Sequence, residues 1–121
     1  MKRVLAVDDE PHILKLVSFS LARHGYEVIQ ASDGMAAIEV AEAEQPDLIL
    51  MDVMMPLLDG YGACERIKAN PKTSHIPVVM LSAKSQLAEQ QAGLERGAAG
   101  YITKPFTPRD LVEQVGELIG D

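Results

Sequence analysis

The chain has 121 residues and a mass of 13.1 kDa, and 47% of its residues are hydrophobic, enough for one domain with a real core. Its 18 acidic residues against 11 basic ones give a formal charge of −7 with no Lys/Arg block, so the general field repels nucleic acid and acidic membrane surfaces. The single cysteine, Cys64, excludes an internal disulfide, the apolar run in "KRVLAVDD" is too short for a signal peptide, and no segment nears the roughly 18 apolar residues of a membrane span, so a cytoplasmic protein is expected.

Short apolar runs of β type alternate along the chain with segments of helical period. "RVLAV" (3–7), "EVIQA" (27–31), "DLILM" (47–51), "PVVML" (77–81) and "GYIT" (100–103) are predicted strands, and helices are predicted near 11–23, 34–45, 59–69, 86–96 and 107–119. The first, third and fourth strands are apolar at nearly every position, which requires cover on both faces and points to a parallel sheet between helix layers. In the first helix Ile13, Leu14, Leu16, Val17, Ser20 and Leu21 recur at three- and four-residue steps, with His12, Lys15 and Arg23 left to water. Pro11 suits a first helical turn, Gly25 a helix end, and Thr107-Pro108 an N-cap followed by proline. Ser32-Asp33-Gly34 could turn a hairpin, but the alanines and glutamates of "MAAIEVAEAE" favour a helix start. Five β-α units with right-handed crossovers make an α/β, doubly wound (βα)5 three-layer sandwich, with no internal repeat or linker to mark a second domain.

In an open parallel sheet, ligands and chemistry gather at the carboxyl ends of the strands. Asp8, Asp9 and Glu10 follow the first strand, Asp52 ends the third, Ser82 ends the fourth, and Lys104-Pro105 follows the fifth. Taken singly, Asp8, Asp9 or Ser82 reads as a cap or loop residue, and Asp59-Gly60 as turn and helix-start chemistry. Asp52 resists that explanation, because four apolar residues precede it and four follow in "ILMDVMMPLLDG". If Asp8, Asp9 and Asp52 share a pocket, each close pair repels by about 4 kcal/mol at an effective dielectric near 20, and three pairs by on the order of 10 kcal/mol. Lys104 offsets one charge. A divalent cation is the natural complement, and an all-oxygen site selects Mg²⁺ or Mn²⁺ over zinc. His12, His24 and His75 lack a metal-ligand spacing, Cys64 reads as a small core residue, and Met51, Met54 and Met55 read as packing.

The segments "VDDE" (7–10), "DVMMPLLDG" (52–60), "LSA" (81–83) and "GYITKPF" (100–106), together with the intervals from Asp52 to Ser82 and Lys104, resemble the receiver domain of bacterial two-component response regulators. The resemblance covers residues 1–121 essentially end to end. It implies a flavodoxin-like five-stranded parallel sheet of order 2-1-3-4-5. It makes Asp52 the phosphoacceptor, taking a phosphoryl group from a phosphohistidine on a sensor histidine kinase or phosphotransfer protein. Mg²⁺, with Mn²⁺ as a substitute, would be held by Asp9, by Asp8 directly or through water, by Asp52 and by the backbone carbonyl of Met54. Ser82 and Lys104 would bond phosphoryl oxygens, Tyr101 would be the switch aromatic, and the peptide bond before Pro105 would be cis.

The same resemblance implies a switch that catalyses its own phosphorylation and dephosphorylation. Its readout surface would run from about Gln86 to Ile119, for a downstream protein or output domain, with a phosphorylation-dependent dimer as a further state. Met54 and Lys84 stand where the family varies and where phosphoryl lifetime is tuned, and Ser82 replaces a frequent threonine. Two other classes share features with this pattern. A non-phosphorylated interaction module of the same fold would not need the full set of Asp9, Asp52, Ser82 and Lys104. A Mg²⁺-dependent aspartyl phosphatase would carry its nucleophile after the first strand, where "VDDE" stands.

Overall fold

The apolar runs of the sequence become the strands of one parallel sheet, and the first, third and fourth are buried because helices close over both of their faces. The computed structural model describes residues 2–83 and 97–119. Within them β1 (Arg3–Val7), α1 (Pro11–Ala22), β2 (Glu27–Ala31), α2 (Gly34–Glu44), β3 (Leu48–Asp52), α3 (Gly60–Ala69), β4 (Val78–Ala83), β5 (Gly100–Lys104) and α4 (Pro108–Ile119) follow in order. The five strands are all parallel and lie in the order β2-β1-β3-β4-β5. Lys84 and the helix expected near 86–96 fall outside the described residues.

Alternation along the strands divides the core in two. Leu5, Val7, Ile49, Met51, Val78 and Met80 pack with Ala37 and Ala41 of α2 and with Cys64 and Ile67 of α3. Their neighbours Val4, Ala6, Leu48, Leu50, Val79 and Leu81 pack with Leu14, Val17 and Leu21 of α1 and with Leu111 and Val115 of α4. All five residues of β3 are buried, which explains why its sequence is apolar at each position up to Asp52.

Local chemistry sets the helix boundaries. Pro11 opens α1, and Gly25, at φ +89°, follows its end in a backbone region that side chains disfavour. The Asp33 carboxylate accepts from the Ala36 N–H at 2.8 Å, so Ser32-Asp33-Gly34 is a helix start and not a hairpin turn. Asp59 caps α3 through the Gly62 N–H at 2.8 Å, and the Thr107 hydroxyl accepts from the Asp110 N–H at 3.0 Å. Each such cap contributes about 1 kcal/mol. On α1 the buried stripe is narrower than its periodicity predicts. Leu14, Val17 and Leu21 are buried, whereas Leu16 is 37% exposed, because it lies on the flank of the arc that faces the sheet.

Three strands run further than their apolar pattern suggests, and each extension carries a polar residue. β3 continues through Asp52, which pairs in register with Leu81; β4 continues past Ser82, paired with Thr103; β5 continues to Lys104, paired with Ala83. Hydrophobicity marks where side chains are buried, but the ladder is a property of the backbone and does not stop where a side chain becomes polar. The site residues are therefore held in the sheet itself.

Gly60 approaches this edge most closely. Its N–H donates to the Val53 carbonyl at 3.0 Å, and a Cβ at this position would collide with the Asp52 carbonyl oxygen and lie 2.6 Å from Met80 Cε. Gly60→Ala is expected to destabilise the fold by about 1–3 kcal/mol, the usual cost of overpacking. In urea denaturation the midpoint should fall with the slope unchanged; a wild-type midpoint would refute the close packing of α3 on β3.

Candidate functional site

Residues far apart in sequence meet at the carboxyl edge of the sheet because β1, β3 and β5 end there with polar groups. The Lys104 ammonium donates to Asp52 Oδ1 at 2.9 Å and to Asp8 Oδ2 at 3.3 Å. The second oxygen of Asp8 accepts from the Glu10 N–H at 3.0 Å, and the Met54 N–H donates to the Asp52 carboxylate. Asp8 and Asp52 are 1% and 5% exposed, whereas Asp9 and Glu10 lie open to solvent beside them. A single lysine thus faces two buried carboxylates.

The electrostatics follow from that imbalance. Burial pushes the Asp52 carboxyl above its ordinary range and Asp9 adds repulsion, against the opposing Lys104 and Met54 hydrogen bonds. Burial also raises Asp8, with Asp52 repelling it, against the Glu10 N–H and Lys104. For Lys104 burial is the largest single effect and pulls downward, but the hydrogen bonds and charges of Asp52 and Asp8 together outweigh it and raise the ammonium. The lysine stays charged at neutral pH and the acids are held ionised only against resistance.

The donor set fits a hard cation. Asp8, Asp9 and Glu10 each bring a carboxylate oxygen to within 4.8 Å of the others, and Asp52 is near enough to Asp8 and Asp9 for mutual repulsion. These are all carboxylate oxygens, which suit Mg²⁺ or Mn²⁺ and not a thiolate-seeking ion. Cys64 is buried in the core between the sheet and α3, as expected.

Of the residues singled out in the sequence, Asp8, Asp52 and Lys104 meet directly, with Asp9 alongside. Ser82 is buried on β4, one residue beyond the Asp52–Leu81 pair. Tyr101 on β5 is half-buried against the core cluster that contains Met80. The Met54 side chain is 66% exposed, so packing places no demand on its identity. The Lys104-Pro105 peptide bond is cis. Sequence reasoning placed Glu10 at the edge with Asp8 and Asp9 but left it out of the metal-ligand set, and it read Gly60 as helix-start chemistry without seeing that it lets α3 rest on the Asp52 backbone. The acidic run 8–10 signalled the former; a glycine directly after a capping aspartate was the only signal of the latter.

A parallel sheet of order 2-1-3-4-5, with an acid pair, a strand-end aspartate and a strand-end lysine converging at its carboxyl edge, defines a class of signalling domain. Residues 4–116 match the model of the response regulator receiver domain, and the chain belongs to that family. It is 44% identical over 118 residues to the alkaline phosphatase synthesis transcriptional regulatory protein PhoP of Bacillus subtilis, covering 98% of this chain and 48% of that protein. The chain spans about half the length of the curated relatives it matches. Among solved structures it is similar to the chemotaxis response regulator CheY4 of Vibrio cholerae, with a TM-score of 0.92 and 34% identity over 98% of each chain. It is also similar to the receiver domain of the sensor histidine kinase PA1611 from Pseudomonas aeruginosa, solved with a magnesium ion coordinated in its active-site cleft, with a TM-score of 0.90 and 32% identity over 99% of this chain and 98% of that one. No described helix is long and apolar enough to cross a membrane.

Because Asp8 and Asp52 take up protons more readily folded than unfolded, the unfolded chain binds fewer protons, and their contribution to stability falls as pH rises out of the ordinary carboxylate range. Asp8→Asn is therefore expected to raise the melting temperature by a few degrees in EDTA at neutral pH, and by less under acid conditions, where the wild-type carboxyl, raised above its ordinary range, takes up its proton. Added Mg²⁺ should stabilise the wild type more than the variant. Calorimetric melts showing a gap that shrinks with rising pH would contradict the charge excess.

Proposed function

We propose that the chain is the phosphoacceptor switch of a two-component system, with Asp52 as the residue that carries the phosphoryl group. The observation that carries this reading is the single ammonium of Lys104 hydrogen-bonded to both Asp52 and Asp8 at the sheet edge. A carboxylate oxygen of Asp52 attacks the phosphorus of a phosphohistidine on a sensor kinase or phosphotransfer protein. The new O–P bond forms as the P–N bond breaks, the electron pair returns to the imidazole nitrogen, and the group remains as an acyl phosphate. Asp8, Asp9, Asp52 and the Met54 carbonyl would hold Mg²⁺, which when bound offsets negative charge on the phosphoryl oxygens; the magnesium-bearing PA1611 receiver supports this by analogy.

Lys104 stands ready to follow charge from Asp52 to a phosphoryl oxygen, and the Ser82 hydroxyl takes another. Water attack on the acyl phosphate returns the carboxylate and inorganic phosphate, so the chain resets itself. Phosphorylation adds roughly two negative charges at neutral pH, which draw Ser82 toward Asp52 and let Tyr101 turn inward. The readout face then includes β5 and α4, and serves a downstream protein or output domain or a second copy of the chain. Relatives that are transcriptional regulators favour transcriptional control as the process, and a cytoplasmic location fits a kinase partner.

In acetyl phosphate and Mg²⁺, the wild-type chain is expected to gain the mass of one phosphoryl group and Asp52→Asn none, by intact-protein mass spectrometry. EDTA should abolish the gain. Persistent labelling of Asp52→Asn would move the acceptor elsewhere.

A further inference from the structure

The loop from Val53 to Asp59, which joins β3 to α3, is built against its own conformational preference. Leu57 has φ +69°, and the Leu58 N–H donates to the Pro56 carbonyl at 2.9 Å, closing a γ-turn of the rare, positive-φ kind around Leu57. Leucine adopts this conformation only against a steric cost, and Leu57 recovers none of it by burial, because its side chain is fully exposed. Such strain persists only where the surroundings over-determine it. Here the surroundings act on the next residue. A Cβ on Gly34, the first residue of α2, would lie 2.7 Å from the Leu58 carbonyl oxygen and 3.2 Å from its Cγ, and a Cβ on Gly62 of α3 would lie 2.7 Å from its Cδ1. Two glycines therefore leave a slot between the helices, and Leu58 fills it, packed against the core beneath.

We propose that Leu58 is a positioning residue for the cation site: its seat between Gly34 and Gly62 holds the loop closed against the strain at Leu57 and so fixes the peptide of Met54. This rests on the Mg²⁺ ligand set proposed above, of which the Met54 carbonyl is a member. The Met54 side chain is exposed and anchors nothing, yet its peptide also meets Asp52, because its N–H donates to that carboxylate. The flanking residues Val53 and Met55 are buried in the core, and the Gly60 N–H ties the base of the loop to the Val53 carbonyl at 3.0 Å. Beyond Met55 the apolar anchorage of the loop is Leu58, since Pro56 and Leu57 are exposed. Without that seat the turn relaxes toward negative φ, and the Met54 carbonyl is ordered only on binding, which weakens cation affinity.

The test is Mg²⁺ binding by isothermal titration calorimetry, beside the melting temperature in EDTA. Leu58→Ala should weaken Mg²⁺ binding about tenfold, the scale of the strain it leaves unopposed, and lower the melting temperature through the cavity it creates. Leu58→Met, which nearly conserves volume, should bind Mg²⁺ as the wild type does. Leu57→Gly should melt a few degrees higher with Mg²⁺ affinity unchanged, because the strain is gone while the seat remains. With Leu57→Gly and Leu58→Ala combined, most of the lost Mg²⁺ affinity should return, although the cavity keeps the melting temperature below that of Leu57→Gly alone. Val115→Ala, which opens a cavity in the other half of the core, should lower the melting temperature and leave Mg²⁺ binding unchanged. Wild-type binding in Leu58→Ala, an equal loss in Val115→Ala, or a double variant as weak as Leu58→Ala would each overturn the proposal. A wild-type chain that binds no Mg²⁺ would instead remove the ligand set, and this role with it.

Discussion

The arrangement at the sheet edge depends on one cation between two buried carboxylates. Lys104 alone cannot neutralise Asp8 and Asp52, and Asp9 and Glu10 add to the deficit from the solvent side. A fold optimised for stability alone would have placed apolar residues at such positions, because removing carboxylates from water costs more than one ion pair returns. The imbalance is tolerable because each charged group is anchored in a hydrogen-bonded strand or at its end, where the backbone cannot relax away from the repulsion. It is useful because an edge deficient in positive charge is poised to take up a cation and then an electrophilic phosphorus.

The fold was largely legible in the sequence. Buried parallel strands announce themselves as runs without polar alternation, and Asp33, Pro11 and Thr107 act at helix starts through hydrogen bonds or ring geometry that their neighbours cannot alter. What the pattern missed has a common physical origin. Asp52, Ser82 and Lys104 are in the ladder although their side chains break the hydrophobic run, so apolarity ended the strands too early. Leu16 looked like core because periodicity registers spacing, not the width of the face a sheet can cover. The convergence of Asp8, Asp52 and Lys104 could be anticipated from strand order, but the sharing of one ammonium by both acids is a matter of side-chain reach, which no spacing encodes. Leu57 was invisible for a related reason, since backbone strain leaves no mark in composition.

Stiffness is distributed unevenly around Asp52. On one side, Asp52 is held by the β4 ladder, and Gly60 brings α3 down onto its carbonyl. Between these two fixed points Met54, Pro56 and Leu57 face solvent while Met55 is tucked into the core, with the end of the loop secured by Leu58. The Asp52 carboxylate is therefore positioned by the sheet and by the Met54 N–H at the start of the loop together.

The partners of Lys104 also have a bearing on time. The lysine is separated from Asp52 by 52 residues and from Asp8 by 96. A chain emerging from the ribosome presents both acids well before the cation that links them, so until β5 docks against β4 the acidic edge is incomplete. Under the role proposed for Lys104, competence to accept a signal would arrive only with the closing of the sheet, and a half-made copy would draw no phosphoryl groups away from finished ones.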